Sequence, residues 1–128
     1  MDIKNIYEEL SKASVDKGSS IKLAALTGDE KISIFIAEVA PKSNLNPHYH
    51  KSGIETYQIF KGNGIMKIGR LQESFVKWVE TIHVKEGDCF FIKENDVHQL
   101  INDTDVPLQA IFSCPATHLS TDRFFIKD

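Results

Sequence analysis

His48 and His50 stand two apart in Asn46-Pro47-His48-Tyr49-His50. In an extended segment successive side chains alternate, so both imidazoles face one side at a spacing that a single metal ion can bridge, while Tyr49 faces the other. Lys51-Ser52-Gly53 offers a bend, after which Glu55 opens an apolar strand with its carboxylate on the side of Tyr57 and Ile59. A carboxylate facing a core is costly unless it is paired, and a divalent cation shared with two imidazoles removes that penalty. His98, in Asn95-Asp96-Val97-His98, begins another strand just after a polar turn and can supply a fourth ligand. Taken singly, each histidine reads as an ordinary hydrogen-bonded residue. The joint pattern is what points to a metal. Three imidazoles and one carboxylate suit one divalent transition metal, Fe(II), Mn(II), Ni(II) or Co(II), in octahedral geometry with two positions open to chemistry. With Zn²⁺ in a tetrahedron the same four groups would close the shell and the site would read as structural.

Ligands this far apart in sequence must be brought together by strands, and the chain is patterned for strands. Ile3, Ile6, Tyr7 and Leu10 fall on one helical face behind Asp2, which predicts a short amphipathic helix over 2–12. After Asp16-Lys17-Gly18-Ser19-Ser20 the period changes from 3.6 to 2 for most of the remaining length. Ile21 to Leu26 is expected to pair with the run holding Ile32, Ile34 and Ile36, whose aliphatic face alternates with Ser33, Phe35 and Ala37. Glu55 to Phe60 and Ile65 to Ile68 flank Lys61-Gly62-Asn63-Gly64, which reads as a hairpin turn with two glycines at positive φ. Further strands are expected over 75–84, 89–92, 97–101 and 108–113. About eight short strands with few helices predict an all-β sandwich, jelly roll or small barrel over 20–114. The tail 115–128 ends in the apolar run Phe124-Phe125-Ile126, which should dock on its own barrel or on a second subunit, making a homodimer possible.

Bulk properties agree with one folded unit. The chain has 128 residues, 41% hydrophobic and 26% charged, enough for one domain with its own core. Fifteen basic against eighteen acidic residues leave −3, with no basic stripe, so neither nucleic acid nor an anionic membrane is an expected partner. No apolar run approaches the roughly 20 residues of a membrane span, and Met1-Asp2-Ile3-Lys4 carries no signal-peptide pattern, so a cytoplasmic protein is expected. Cys89 and Cys114 are read as small core residues. Cys114 and His118 flank Pro115 in the tail, which argues against a thiol–base pair and leaves both as bystanders. His83 is expected to face solvent.

These residues resemble the cupin superfamily, small β-barrels marked by two spaced motifs. The first, a glycine, five residues, His-x-His, three or four residues, Glu, six residues and glycine, is matched by His48, His50, Glu55 and Gly62, with Lys42 at the leading glycine's place. The second, a glycine, five residues, Pro-x-Gly, two residues, His, three residues and Asn, is matched by Gly87, His98 and Asn102, with Lys93 and Asn95 at the proline and second glycine. Asn tolerates the left-handed backbone almost as glycine does, so the turn is expected to keep its shape. The stretch between Gly62 and Gly87 is long for a cupin and predicts a lengthened hairpin at the pocket rim.

The resemblance implies His48, His50, Glu55 and His98 as metal ligands in a cupin-type barrel or jelly roll of the conserved-barrel type, acting on a small organic molecule. Dioxygenase-type chemistry is the leading expectation, with Tyr57 the nearest proton donor or orienting group. The alternatives are a non-oxidative cupin, such as a sugar or keto-acid isomerase or a decarboxylase, and a small-ligand-binding cupin without turnover. Tyr57, Ile59, Met66, Leu100 and Phe112 are expected to give the pocket an apolar lining.

Overall fold

The computed structural model describes residues 1–127. Helix α1 covers Ile6–Lys12, shorter than the sequence predicts, because Asn5 rather than Asp2 caps it and accepts from the amides of Tyr7 and Glu8. Ile3 is 79% exposed, so an added first turn would bury nothing. The strands are β1 (Ser14–Val15), β2 (Lys22–Gly28), β3 (Ser33–Val39), β4 (Ser43–Asn44), β5 (His48–Tyr49), β6 (Glu55–Lys61), β7 (Asn63–Gln72), β8 (Phe75–Lys85), β9 (Cys89–Ile92), β10 (Asp96–Asn102), β11 (Leu108–Cys114) and β12 (Phe124–Phe125), with a short 3₁₀ turn over Ala116–Leu119. They form two six-stranded sheets. One runs β1-β2-β3-β11-β6-β9; the other runs β12-β5-β10-β7-β8, with β4 also pairing β10.

β2 and β3 pair antiparallel as expected, turned by Asp29, whose carboxylate accepts from the amides of Lys31 and Ile32. The aliphatic face of β3 points outward. Ile36 packs with Leu10 and Leu26 under α1, whereas Phe35, Ala37 and Val39 enter the core between the sheets with Tyr57, Ile59, Met66, Leu100, Ala110 and Phe112. β3 is thus apolar on both faces because the helix covers the outer one.

The Gly62-Gly64 segment departs from the expected hairpin. β6 pairs with β11 and β9, and β7 with β10 and β8, so Lys61 to Gly64 is a corner that carries the chain from one sheet to the other. Only Gly62 has positive φ, at 90°. Gly64 serves instead for close approach, since a Cβ there would lie 2.6 Å from the Ile101 carbonyl oxygen and 2.6 Å from a Leu108 methyl. The long hairpin is real: β7 and β8 pair from Asn63↔Lys85 to Gln72↔Phe75. Cys114 is buried as expected, but Cys89 is exposed, because it stands opposite outward-facing Gln58 rather than on the inner face of β9. No helix among the described residues is long and apolar enough to cross a membrane.

Candidate metal centre

The two sheets bring the four expected ligands to one place. His48 pairs in register with His98 of β10, and β5 is held on its other side by β12, where Phe125 faces His48. Glu55 starts β6 in the opposite sheet. Asn95, at φ 68°, presents its amide to the His50 carbonyl at 2.7 Å, so the turn before His98 is bonded to the segment that carries His50. Lys42, where the motif's first glycine would stand, likewise adopts φ 56°. Asn102 ties the far end of β10 by donating to the carbonyls of Val39 and Val106. Tyr49 points away from the histidines and stacks on Phe124.

His48, His50, Glu55 and His98 are all buried, and one ligand atom from each lies within 4.8 Å of the others. The tautomers follow from the partners. A carbonyl oxygen only accepts, so Nδ1 of His48 donates to Asn46, Nδ1 of His98 to Asp96, and Nδ1 of His50 to Asp122, the last at 2.6 Å. Each neutral ring then turns its Nε2 lone pair inward, as in metal sites where outer partners fix the ligand's orientation. His50 Nε2 lies 2.8 Å from Glu55 Oε2 and His98 Nε2 lies 3.6 Å from it. With both Nε2 atoms bare, these contacts set nitrogen lone pairs against carboxylate charge, and Nε2 of both histidines and Oε2 of Glu55 are buried without a hydrogen-bond partner. Buried polar atoms left this way cost about 1–3 kcal/mol each. A divalent cation offsets that cost at once, and this donor set of nitrogen and carboxylate oxygen fits one.

Burial alone would raise the Glu55 carboxyl, but His118, His50 and His98 together hold it well below the usual carboxylate range. Burial, reinforced by His98, holds His48 well below the usual imidazole value, so its lone pair stays free. The Tyr57 phenol is pushed well above its usual value by burial and by the Glu55 charge, so it keeps its proton. Burial does the same to the Cys114 thiol.

His118, read from the sequence as a bystander, lies against the candidate ligands. It is fully buried, its Nε2 donates to the Ser52 carbonyl at 2.6 Å, and its Nδ1 lies 3.7 Å from Glu55 Oε2 with no hydrogen-bond partner. Pro115 starts a 3₁₀ turn that folds the tail back under the ligands, so the tail docks on its own barrel. His83 is exposed as expected.

One small cavity touches the centre and a larger one lies along the strands beside it. One of about 20 Å³ is bounded by His48, Glu55, Tyr57, Leu100 and Phe112. Ile59, expected beside them, is packed into the core and lines neither of the two, and Met66 lines the larger one. The other, of about 360 Å³, opens between β8 and β9 over Met66, Ile68, Ile82, Phe90 and Ile92, with Arg70 and Lys93 among its polar groups. Ile68 is the cross-strand partner of His98, and Ile92 that of Glu55, so this cavity runs along the strands that carry two of the candidate ligands. Its volume is in the roughly 300–1,000 Å³ range of small-molecule clefts.

The family model for the cupin domain matches residues 35–114, spanning both motifs and all four converging residues. The chain is a member of the cupin family. An uncharacterised protein of Aquifex aeolicus is 33% identical over 113 residues, covering 88% of this cupin and 84% of the relative. Among solved structures, an uncharacterised conserved protein with a double-stranded β-helix domain from Klebsiella pneumoniae superposes with a TM-score of 0.72 at 16% identity, covering 100% of this chain and 99% of that one. An oxalate oxidase matches with a TM-score of 0.69 at 19% identity, covering 91% of this cupin and 61% of that chain.

Proposed function

We propose that this cupin is a metal-dependent enzyme acting on a small organic molecule, with oxygen-using, dioxygenase-type chemistry as its reaction class. The observation that carries the reading is the buried cluster: three imidazoles with N–H groups turned outward to carbonyls, and Glu55 among them, with one ligand atom of each within 4.8 Å of the others. Bound there, a divalent ion such as Fe(II), Mn(II), Ni(II) or Co(II) supplies Lewis acidity and, where its redox state can change, access to dioxygen chemistry.

The chain's own residues do the rest. His48, His50, Glu55 and His98 hold the ion. Tyr57, protonated and next to Glu55, orients an oxygen of the substrate or donates a proton to it. The apolar walls from Met66, Ile68, Phe90 and Ile92 exclude water along the larger cavity. The fold likeness to an oxalate oxidase supports an oxidative chemistry on this scaffold.

Metal-stripped protein reloaded with each of the four ions, screened in an oxygen electrode against diketones, flavonols and small thiols, tests the reading. Oxygen uptake coupled to consumption of one substrate class is expected. Metal binding with aldose or keto-acid interconversion and no oxygen use would contradict the reaction class, and a ligand that raises Tm but is never consumed would contradict turnover itself.

A further inference from the structure

The C-terminal segment reaches the ligands through several separate bonds. The Asp122 carbonyl takes the His50 Nδ1–H at 2.6 Å, and the Asp122 carboxylate takes the amides of Lys51 and Ser52 at 2.7 and 2.9 Å. His118 lies beneath them, its Nε2–H on the Ser52 carbonyl and its partnerless Nδ1 3.7 Å from Glu55 Oε2. Its ring is parallel to that of His50, with 4.0 Å between centroids and 4° between planes.

That stacking decides what His118 can do. An imidazole binds an ion in its own ring plane, along the nitrogen lone pair. An ion held by His50 lies in the His50 plane and is therefore about a stacking distance out of the His118 plane. His118 also stands outside the group of four whose ligand atoms lie within 4.8 Å. It does not share the ion, yet it covers the ring face of His50, which does, and is itself held in place by Ser52.

We propose that His118 is a positioning residue of the metal centre, supplied by the C-terminal segment, which sets the His50 ring by stacking on its face while its own Nε2–H is anchored on the Ser52 carbonyl, without itself coordinating the ion. The inference rests on the metal-centre reading above.

Co(II) affinity of the metal-stripped full-length chain, with no substrate present, tests it. His118→Phe keeps an aromatic face against His50 but loses the bond to Ser52. His118→Leu removes the stack as well. The Leu variant should bind Co(II) about 10–100-fold more weakly, the usual loss for an outer partner of a ligand, and Phe should recover most of it. The Co(II) visible spectrum should shift in the Leu variant while the number of bound imidazoles, counted by X-ray absorption, stays at three. Melting of the metal-free forms checks that both variants are folded. Affinity in the Leu variant within twofold of the parent, or equal loss in Leu and Phe, would overturn the role of the stack. Loss of one imidazole from the ion's shell would overturn it in the other direction, by making His118 a ligand. If the parent chain takes up no Co(II), the metal-centre reading falls and this inference with it. If the parent binds and the variants match it, only this inference falls.

Discussion

At the scale of single residues, Glu55 is the group whose placement demands most explanation. A carboxylate 3% exposed and facing three imidazole lone pairs has no stable unpartnered form unless protons or a cation stand between them. Glu55→Gln removes the charge but keeps an oxygen in place, so Co(II) affinity should drop, and by less than in His98→Ala, which removes a lone pair at the heart of the cluster. Equilibrium dialysis against a chelator measures both. Tyr57→Phe removes only the phenolic hydroxyl. It should leave metal affinity within about twofold and lower kcat by roughly 10²–10⁴ if the phenol transfers a proton. The four ligand candidates were legible because strand alternation and spacing determine which way His48, His50 and Glu55 point. His118 was not. It sits in a 3₁₀ turn after Pro115, where neither period applies, and its carbonyl partner Ser52 is 66 positions away in sequence.

Elements are where the sequence reading was most uneven. Alternation located the strands, but it cannot say which face a two-sided strand turns inward. The aliphatic side of β3 proved to be the one under α1, and the barrel core took Phe35 and Ala37. A glycine pair between two strands reads locally as a hairpin, yet the strands on either side lie in different sheets, a long-range outcome that no turn residue encodes. Gly64→Ala tests the corner: the added Cβ would press on the Ile101 carbonyl oxygen, and chemical denaturation should register a loss of about 1–3 kcal/mol. The tail has a latch of its own, in which Arg123 Nη1 donates to Asp16 Oδ2 at 2.8 Å while Ser19 donates to the same carboxylate. Burial raises the Asp16 carboxyl, but the Ser19 and Arg123 bonds outweigh it and hold the group below its ordinary value of 3.8. A carboxylate lowered by folding adds stability that is fully present above the ordinary value and is lost as pH falls through the lowered one. Melting curves from pH 6 to pH 2 should therefore show Asp16→Asn below the parent at neutral pH and the two converging in acid.

Across the whole molecule, the two sheets serve one arrangement. β5 and β10 bring His48 and His98 from one sheet, β6 brings Glu55 from the other, and β12 with the preceding turn closes the cluster from behind. The larger cavity opens between β8 and β9, where Ile68 and Ile92 stand opposite His98 and Glu55 on neighbouring strands. The proposed function depends on those four side chains holding one cation. The most direct measurement is elemental analysis with calorimetric Co(II) titration of the stripped chain, run in parallel on His98→Ala. The account predicts one equivalent per chain in the parent, and in the folded variant a loss beyond the roughly 10–100-fold typical of an outer partner. No uptake by the parent, or equal uptake by parent and variant, would contradict it.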